Sequence, residues 1–190
     1  MIKNIAIFAS GEGTNAQTII DYFKSSKKIK IALVVSNKPT ANVLNRAKNN
    51  NIPTFVIDKN SFCETNDVVH ILKKANIDLI VLAGFLWMVP KSLIQAFPNK
   101  IVNIHPALLP KFGGKGMFGM NVHKAVIEEK EKESGISIHF VNEEYDEGKI
   151  IAQHVCEISE NDSAETLAQK IHQLEYEFFP KAIDDLLSVK

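Results

Sequence analysis

Short apolar runs alternate with segments of helical period through the first half of the chain. The apolar runs predict buried β-strands over Ile2–Ala9, Ile29–Ser36, Thr54–Ile57 and Ile77–Leu82. The segments with helical spacing of apolar residues are Asn15–Lys24, Val43–Asn51 and Asp67–Ala75. Strands that alternate with helices of this length indicate βαβ units and a parallel sheet. The pattern therefore predicts a doubly wound α/β fold, with a mostly parallel sheet and helices on both faces.

The second half of the chain has a different pattern. It predicts a fifth strand over Lys100–Ile104, a helix near Val122–Lys130, and two antiparallel strands over Ile136–Val141 and Lys149–Ile158. The last predicted element is an amphipathic helix over Ala164–Ser188, which we expect to break near Pro180 because proline disrupts a helix interior. No linker rich in Pro, Gly or Ser separates the two halves, so we expect residues 1–190 to form a single domain.

Composition and charge exclude several classes of protein. The 190 residues include 22 basic and 22 acidic side chains and are 45% hydrophobic, which is typical of a globular domain. A neutral chain has no basic excess for binding nucleic acid. The longest apolar run, Leu79–Val89, is shorter than the ~20 residues of a membrane-spanning helix. Two distant cysteines favour a reducing, cytoplasmic location and indicate neither a disulfide framework nor a metal site.

The basic residues are almost all lysine, because Arg46 is the single arginine. Arginine is the side chain that binds phosphate and carboxylate groups through a bidentate fork. We therefore expect any bound anion to be held mainly by backbone N–H groups, lysine or neutral donors.

A glycine-rich segment, Ser10–Asn15, follows the first predicted strand and begins the first predicted helix. Backbone N–H groups and the helix dipole favour an anion at such a position, and glycine allows its close approach. The segment matches the dinucleotide-binding pattern only in part, and Asn15 suits a small phosphorylated ligand. A tight strand-to-helix turn that simply requires glycine explains the segment about equally well.

Polar side chains also lie at the end of the fifth predicted strand. Asn103 and His105 are two residues apart, so they share one side of the strand. An amide beside an imidazole can stabilise the oxyanion that forms when a carbonyl group is attacked. One carboxylate of the acidic turn Asn142–Gly148 could orient His105, although the turn could also be solvated surface. His139 shares a strand face with Ser137 and is a possible polar neighbour of this site.

Four segments together resemble the formyltransferase family that uses 10-formyltetrahydrofolate. They are Ser10–Asn15, Leu82–Phe85, Asn103–Pro110 and Asp146–Gly148, in the family's order and spacing. The segment Asn-Ile-His-Pro-Ala-Leu-Leu-Pro, residues 103–110, is specific for the family. The first segment resembles that of members acting on glycinamide ribonucleotide. The resemblance implies a Rossmann-like formyltransferase fold and formyl transfer from the folate to the ribonucleotide amine in purine biosynthesis.

The resemblance also implies roles for individual residues. It implies a catalytic trio of Asn103, His105 and Asp146. The residues implied to bind the ribonucleotide are Gly13, Thr14, Asn15, His172, Gln173, Leu174 and Glu175, with Glu175 the principal contact in the last helix. The residues implied to bind folate are Leu86, Trp87, Met88, Val89, Asn103, Asn142, Glu143, Glu144, Tyr145 and Asp146. The implied partners are small molecules only, without metal, nucleic acid or membrane, and the protein would be a monomer or homodimer.

The chain departs from the family pattern at several positions. Lys149 stands where a proline commonly follows the Asp-x-Gly turn, and Trp87 and Thr65 lie where arginines commonly contact folate. Trp87 could offer an apolar surface to the folate or simply pack in the core. The loop Gly113–Met120 is unusually long and glycine-rich.

Three other functions remain as alternatives. A methionyl-tRNA formyltransferase has an additional C-terminal domain and a basic surface, and a formyltetrahydrofolate hydrolase has an additional N-terminal domain. Neither feature is expected from these 190 residues. A Rossmann-type nucleotide-binding module would explain the glycine-rich segment but would leave Asn103, His105 and Asp146 without a role.

Overall fold

Five parallel strands organise the first part of the chain in the computed structural model, which describes residues 2–188. The residues form two compact units that divide after Asn103. The elements of the first unit are β1 (Lys3–Phe8), α1 (Thr14–Phe23), β2 (Ile29–Ser36), α2 (Asn42–Asn49), β3 (Thr54–Val56), α3 (Lys59–Cys63), α4 (Asp67–Lys74), β4 (Leu79–Leu82), α5 (Lys91–Ala96) and β5 (Ile101–His105), whose last two residues belong to the second unit.

The strand order in this unit is β3-β2-β1-β4-β5, with every pair parallel. The order reverses at β1, so right-handed crossovers place α1 and α2 on one face and α4 and α5 on the other. Contacts between α1 and α2, and between α4 and α5, agree with this arrangement. The central strands are apolar on both faces, as in Ile5–Phe8, which is fully buried. Ligands bind where such a strand order reverses, outside the carboxyl ends of β1 and β4.

The second unit is built on an antiparallel pair of strands. Its remaining elements are α6 (Met120–Glu128), β6 (Glu133–Phe140), β7 (Ile150–Glu157) and α7 (Ala164–Ser188). β6 and β7 pair with Ser137 opposite Gln153, and α7 packs against both strands. At the turn between the strands, a Cβ atom on Gly148 would lie 1.6 Å from the carbonyl oxygen of Phe140. Only glycine fits at this close approach of two backbone segments.

The predicted fold class is confirmed: the parallel strands carry helices on both faces, and the C-terminal strands are antiparallel. The predicted break of the last helix is wrong, because α7 continues through Pro180. Pro180 removes one N–H donor, but it lies on the buried face with Phe179 and Ile183, where packing maintains the helix. The single domain over residues 1–190 stays a prediction. Within residues 2–188, no helix combines the length and apolar character needed to cross a membrane.

Candidate active site

His105 ends β5 and is almost completely buried, with 3% of its surface exposed. Its Nε2 atom lies 2.7 Å from the carbonyl oxygen of Phe112, and its Nδ1 atom lies 3.5 Å from Oδ2 of Asp146. Both ring nitrogens therefore face acceptor oxygens. A ring that donates to both must carry two protons, which is the imidazolium form.

Asp146 is the one carboxylate of the acidic turn that is turned inward. Its backbone has a φ of 57°, in the left-handed region, while Glu143, Glu144 and Glu147 are exposed. The backbone N–H of Gly114 donates to Oδ2 of Asp146 at 3.0 Å, and Nε2 of His139 lies 3.6 Å from Oδ1. Asp146 thus contacts His105, His139 and the Gly113–Met120 loop at the same time.

The surroundings shift the pKa values of both members of this pair. Burial lowers the pKa of His105, and the Asp146 carboxylate and the Phe112 carbonyl, which favour the protonated ring, offset only part of that effect. Burial acts to raise the pKa of Asp146, but hydrogen bonds from His139 and Gly114 outweigh it, so the pKa lies below its usual value. At neutral pH, His105 is mostly neutral and Asp146 is ionised.

A cavity of about 380 Å³ opens beside Asp146 within the second unit. The 109–114 segment forms one wall and the acidic turn forms the other. The residues that line it are Leu109, Pro110, Gly113, Gly114, Tyr145, Asp146, Glu147, Gly148 and Ile150. Asn142, Glu143, Glu144 and Tyr145, predicted to bind folate, are exposed on this turn.

A buried hydrogen-bond network holds the segment that follows His105. The hydroxyl of Ser137 donates to the carbonyl of Ala107 at 2.7 Å and accepts from the backbone N–H of Leu109 at 2.9 Å. The side-chain amide of Gln153 donates to Ser137 Oγ at 2.8 Å and to the carbonyl of Leu109 at 3.0 Å. Sequence reasoning placed Ser137 on the same face of β6 as His139 but did not identify its partners Ala107, Leu109 and Gln153.

In the first unit, the Ser10–Asn15 segment has the predicted form of a loop leading into a helix. Gly13 precedes α1 with a φ of 71°, and Thr14 and Asn15 form its first turn. The N–H groups of a first turn have no partner inside their own helix. A Cβ atom on Gly13 would lie 2.6 Å from Cβ of Val43 in α2, so the loop and α2 are in direct contact.

The segment Leu86–Val89 adjoins this loop through Ser10. The buried Ser10 hydroxyl accepts the backbone N–H of Leu86 at 2.9 Å. Leu86 and Met88 are exposed, Val89 is buried, and Trp87 is half-buried. The Trp87 ring lies 5.9 Å from the ring of Phe62, between centroids, so it packs against α3 rather than standing free in solvent.

The residues of α7 that were predicted to bind ribonucleotide fall on two faces. Glu175 lies on the buried face with 6% of its surface exposed, whereas His172 and Gln173 are exposed and Leu174 is half-buried. The role of these four residues in binding ribonucleotide stays a prediction. Another buried polar group, His123 of α6, has no hydrogen-bond partner at Nδ1 within residues 2–188, and burial lowers its pKa to about 4.

In the described part of the chain, no group of His, Cys, Asp and Glu side chains is arranged to hold a metal ion. His105 and Asp146 form a buried acid–base pair, and Asn103 is half-buried two residues before His105 on β5. Such groups suit polar chemistry at a carbonyl carbon, in which charge develops on oxygen and a proton moves between nitrogens.

Comparison with known proteins identifies relatives over nearly the whole chain. The family model described as formyl transferase matches residues 3–183. The chain is 37% identical over 193 residues to phosphoribosylglycinamide formyltransferase of Bacillus subtilis, covering 99% of this chain and 96% of the relative. It is 40% identical over 187 residues to a protein of Arabidopsis thaliana named phosphoribosylglycinamide formyltransferase, chloroplastic, covering 95% of this chain but 64% of the relative. The chain thus spans less than two thirds of the plant protein.

A solved structure has the same fold. The crystal structure of phosphoribosylglycinamide formyltransferase from Bacillus halodurans is similar with a TM-score of 0.88 and 39% identity. The match covers 98% of this chain and 96% of that one.

Proposed function

Because the chain belongs to the formyl transferase family, we propose that it transfers a formyl group from 10-formyltetrahydrofolate to the amine of 5′-phosphoribosylglycinamide. The products are N-formylglycinamide ribonucleotide and tetrahydrofolate, and the reaction belongs to purine biosynthesis. The observation that carries the proposal is the buried His105–Asp146 pair at the end of β5, beside a cavity walled by the acidic turn. A nucleotide-binding module without catalysis has no use for this pair.

In the proposed mechanism, the amine nitrogen of the ribonucleotide attacks the formyl carbon, and the carbonyl electron pair moves to oxygen. The Asn103 amide and the His105 ring donate hydrogen bonds to that oxyanion. The attacking nitrogen then loses a proton, the folate nitrogen gains one, and the bond between the formyl carbon and the folate nitrogen breaks. Asp146 stabilises the charged form of His105 while the proton moves.

One contact in the structure constrains how His105 takes part. Its Nε2 atom donates to the carbonyl of Phe112 when that nitrogen carries a proton. His105 can donate from Nε2 to a substrate oxygen only if it exchanges this bond for the new one. Its Nδ1 atom stays directed at Asp146.

We assign the two substrates to separate groups of residues. The ribonucleotide phosphate binds to the N–H groups of Gly13, Thr14 and Asn15, and Glu175, with the neighbouring positions His172, Gln173 and Leu174, contacts the ribose and glycinamide. The folate binds Leu86–Val89 and Asn142–Asp146. Both substrates are small molecules, the protein acts as a monomer or homodimer, and its location is cytoplasmic.

The test is an assay of the purified protein with glycinamide ribonucleotide and 10-formyl-5,8-dideazafolate. The absorbance of the deformylated folate is followed while mass spectrometry identifies the formylated ribonucleotide. We expect both products in equal amounts, and expect Asp146→Asn to abolish most of the rate while Glu160→Gln, an exposed carboxylate outside the acidic turn, retains it. Release of formate when no ribonucleotide is added would instead indicate a hydrolase. Formylation of methionyl-tRNA but not of the ribonucleotide would indicate a tRNA-modifying enzyme.

A further inference from the structure

Helix α2 holds the Ser10–Asn15 loop from one side. The backbone N–H of Val43 donates to the carbonyl of Gly11 at 3.1 Å. The Nε atom of Arg46 donates to the carbonyl of Glu12 at 2.7 Å, which is a short bond for a nitrogen donor. Two consecutive carbonyl groups of the loop are thus directed at the same helix.

This arrangement determines the direction of the N–H groups. In a trans peptide the C=O and N–H bonds point in opposite directions across the peptide plane. Since the Glu12 carbonyl is directed at Arg46, the N–H of Gly13 is directed away from α2. The same reasoning directs the N–H of Glu12 away from Val43. Successive N–H groups that converge on one side form a concave site for anions.

Charge is the second part of the observation. Glu12 brings a carboxylate to a loop that is suited to an anion, and its Oε2 atom accepts from the side-chain amide of Asn42 at 3.1 Å. Arg46 places a positive charge beside the Glu12 carbonyl group. It is the only arginine of the chain, it is half-buried, and the planar guanidinium directs its Nε–H bond at the Glu12 carbonyl.

We propose that Arg46 is a positioning residue for the substrate phosphate, acting through the Glu12–Gly13 peptide. This inference rests on the proposed function, because it assumes that the phosphorylated substrate binds this loop. Arg46 orients the Gly13 N–H toward the phosphate, and its charge offsets that of Glu12. Lysine retains the charge but lacks the planar Nε–H donor, so it replaces Arg46 only in part.

The experiment compares Arg46→Gln, Arg46→Lys and the control Lys48→Gln, which removes an exposed positive charge from the same helix. The readouts are KM for glycinamide ribonucleotide, KM for folate, kcat, and the Kd of ribose 5-phosphate from calorimetry. We expect Arg46→Gln to raise the ribonucleotide KM and the ribose 5-phosphate Kd by the same factor, about tenfold or more. We expect kcat and the folate KM to change by less than about twofold, Arg46→Lys to be intermediate, and Lys48→Gln to match wild type.

The outcomes separate this inference from the proposed function. If the wild-type protein forms no formylated ribonucleotide, the proposed function is wrong. The role of Arg46 in phosphate binding is then still tested by the Kd of ribose 5-phosphate. If Arg46→Gln binds ribose 5-phosphate as wild type does, the inference is wrong. It is also wrong if kcat and both KM values worsen together with a fall in melting temperature, since that result indicates a purely structural role.

Discussion

His105 lies between two acceptors that both suit a protonated ring, yet its burial favours the neutral ring. These opposing effects leave a ring that is neutral at rest and is prepared to receive a proton. Nδ1 has the Asp146 carboxylate already in place, whereas Nε2 must exchange its bond to the Phe112 carbonyl before it donates to a substrate oxygen. The pair therefore matches a reaction in which a proton is taken up and returned.

We expect His105→Ala and Asp146→Asn each to lower kcat by about 10²–10³-fold, since each removes a group that acts on charge in the transition state. Steady-state kinetics with both substrates measures this, and circular dichroism verifies the fold. Glu160→Gln, which changes an exposed carboxylate outside the acidic turn, is the control. Retention by either variant of more than about a tenth of the wild-type rate, which is about 1.4 kcal/mol of barrier, would show that the residue is not catalytic.

A second expectation concerns the His105 ring alone. Asp146 raises the pKa of His105, so Asp146→Asn should lower that pKa further below its ordinary value. Histidine resonances followed by NMR across the acidic pH range measure it. An unchanged or higher midpoint in the variant would mean that Asp146 does not govern the protonation of His105.

At this scale, sequence reasoning placed His105 at the end of a strand, as the structure has it, and was incomplete for the acidic turn. Asn103 and His105 could be paired because residues two apart share a strand face. From the residues alone, Asp146 could not be separated from its acidic neighbours, since its inward direction depends on a left-handed backbone at φ 57°. The contacts from Phe112 and Gly114 are made by backbone atoms, which carry no signature in the side-chain pattern.

At the scale of elements, the contact between the Ser10–Asn15 loop and α2 explains why glycine is needed at position 13 and not at position 11. Gly13 has a positive φ and faces Val43, whereas a Cβ on Gly11 would meet no atom within 4 Å. We expect Gly13→Ala to reduce the free energy of unfolding by about 1–3 kcal/mol and to raise the ribonucleotide KM. Gly11→Ala should leave stability nearly unchanged. Urea unfolding measures the stability of both variants. An equal loss of unfolding free energy in Gly13→Ala and Gly11→Ala would show that the contact with Val43 does not require glycine at position 13.

The Ser137 network joins β6 and β7 to the segment that begins at His105. Ser137→Ala leaves the Leu109 N–H and the Ala107 carbonyl without this buried partner, at a cost of about 1–3 kcal/mol. We expect kcat to fall because His105 loses its fixed position, while the ribonucleotide KM stays within about twofold. Unfolding and kinetic measurements on the same variant test this. Loss of stability with an unchanged kcat would show that the network does not position His105.

The strands and long helices were predictable because hydrophobic periodicity repeats along them. The short helices α3 and α5 were not, since five or six residues are too few to display a helical period. α3 instead depends on a capping box in which the side chain of Asp58 accepts from the backbone N–H of Ser61. Pro180 misled the prediction because buried packing along α7 outweighs one lost backbone bond.

At the scale of the whole molecule, His123 links stability to pH. Its pKa is lowered to about 4 in the folded protein, below the ordinary 6.5, so the unfolded chain binds the proton first. The contribution of His123 is therefore complete above pH 6.5 and is lost as the pH falls toward 4. Over this pH range the free energy of unfolding falls by an amount on the order of 3 kcal/mol because of His123.

We expect His123→Leu to flatten the pH dependence of the free energy of unfolding between about pH 6.5 and 4. His70→Gln, in which an exposed histidine is replaced, should retain the wild-type slope. Urea titrations at a series of pH values measure both. A wild-type slope in His123→Leu would show that another group is responsible.

The packing of Trp87 has a spectroscopic consequence. It is the one tryptophan among 190 residues, half-buried against Phe62 and Phe85 and flanked by the exposed Leu86 and Met88. Tryptophan emission, excited selectively over tyrosine, therefore comes from one known segment of the protein. Its wavelength reports the polarity around that segment, and its quenching reports the arrival of an aromatic ligand. The chain thus carries its own fluorescent label at the segment proposed to bind folate, and titrations of that segment require no added dye.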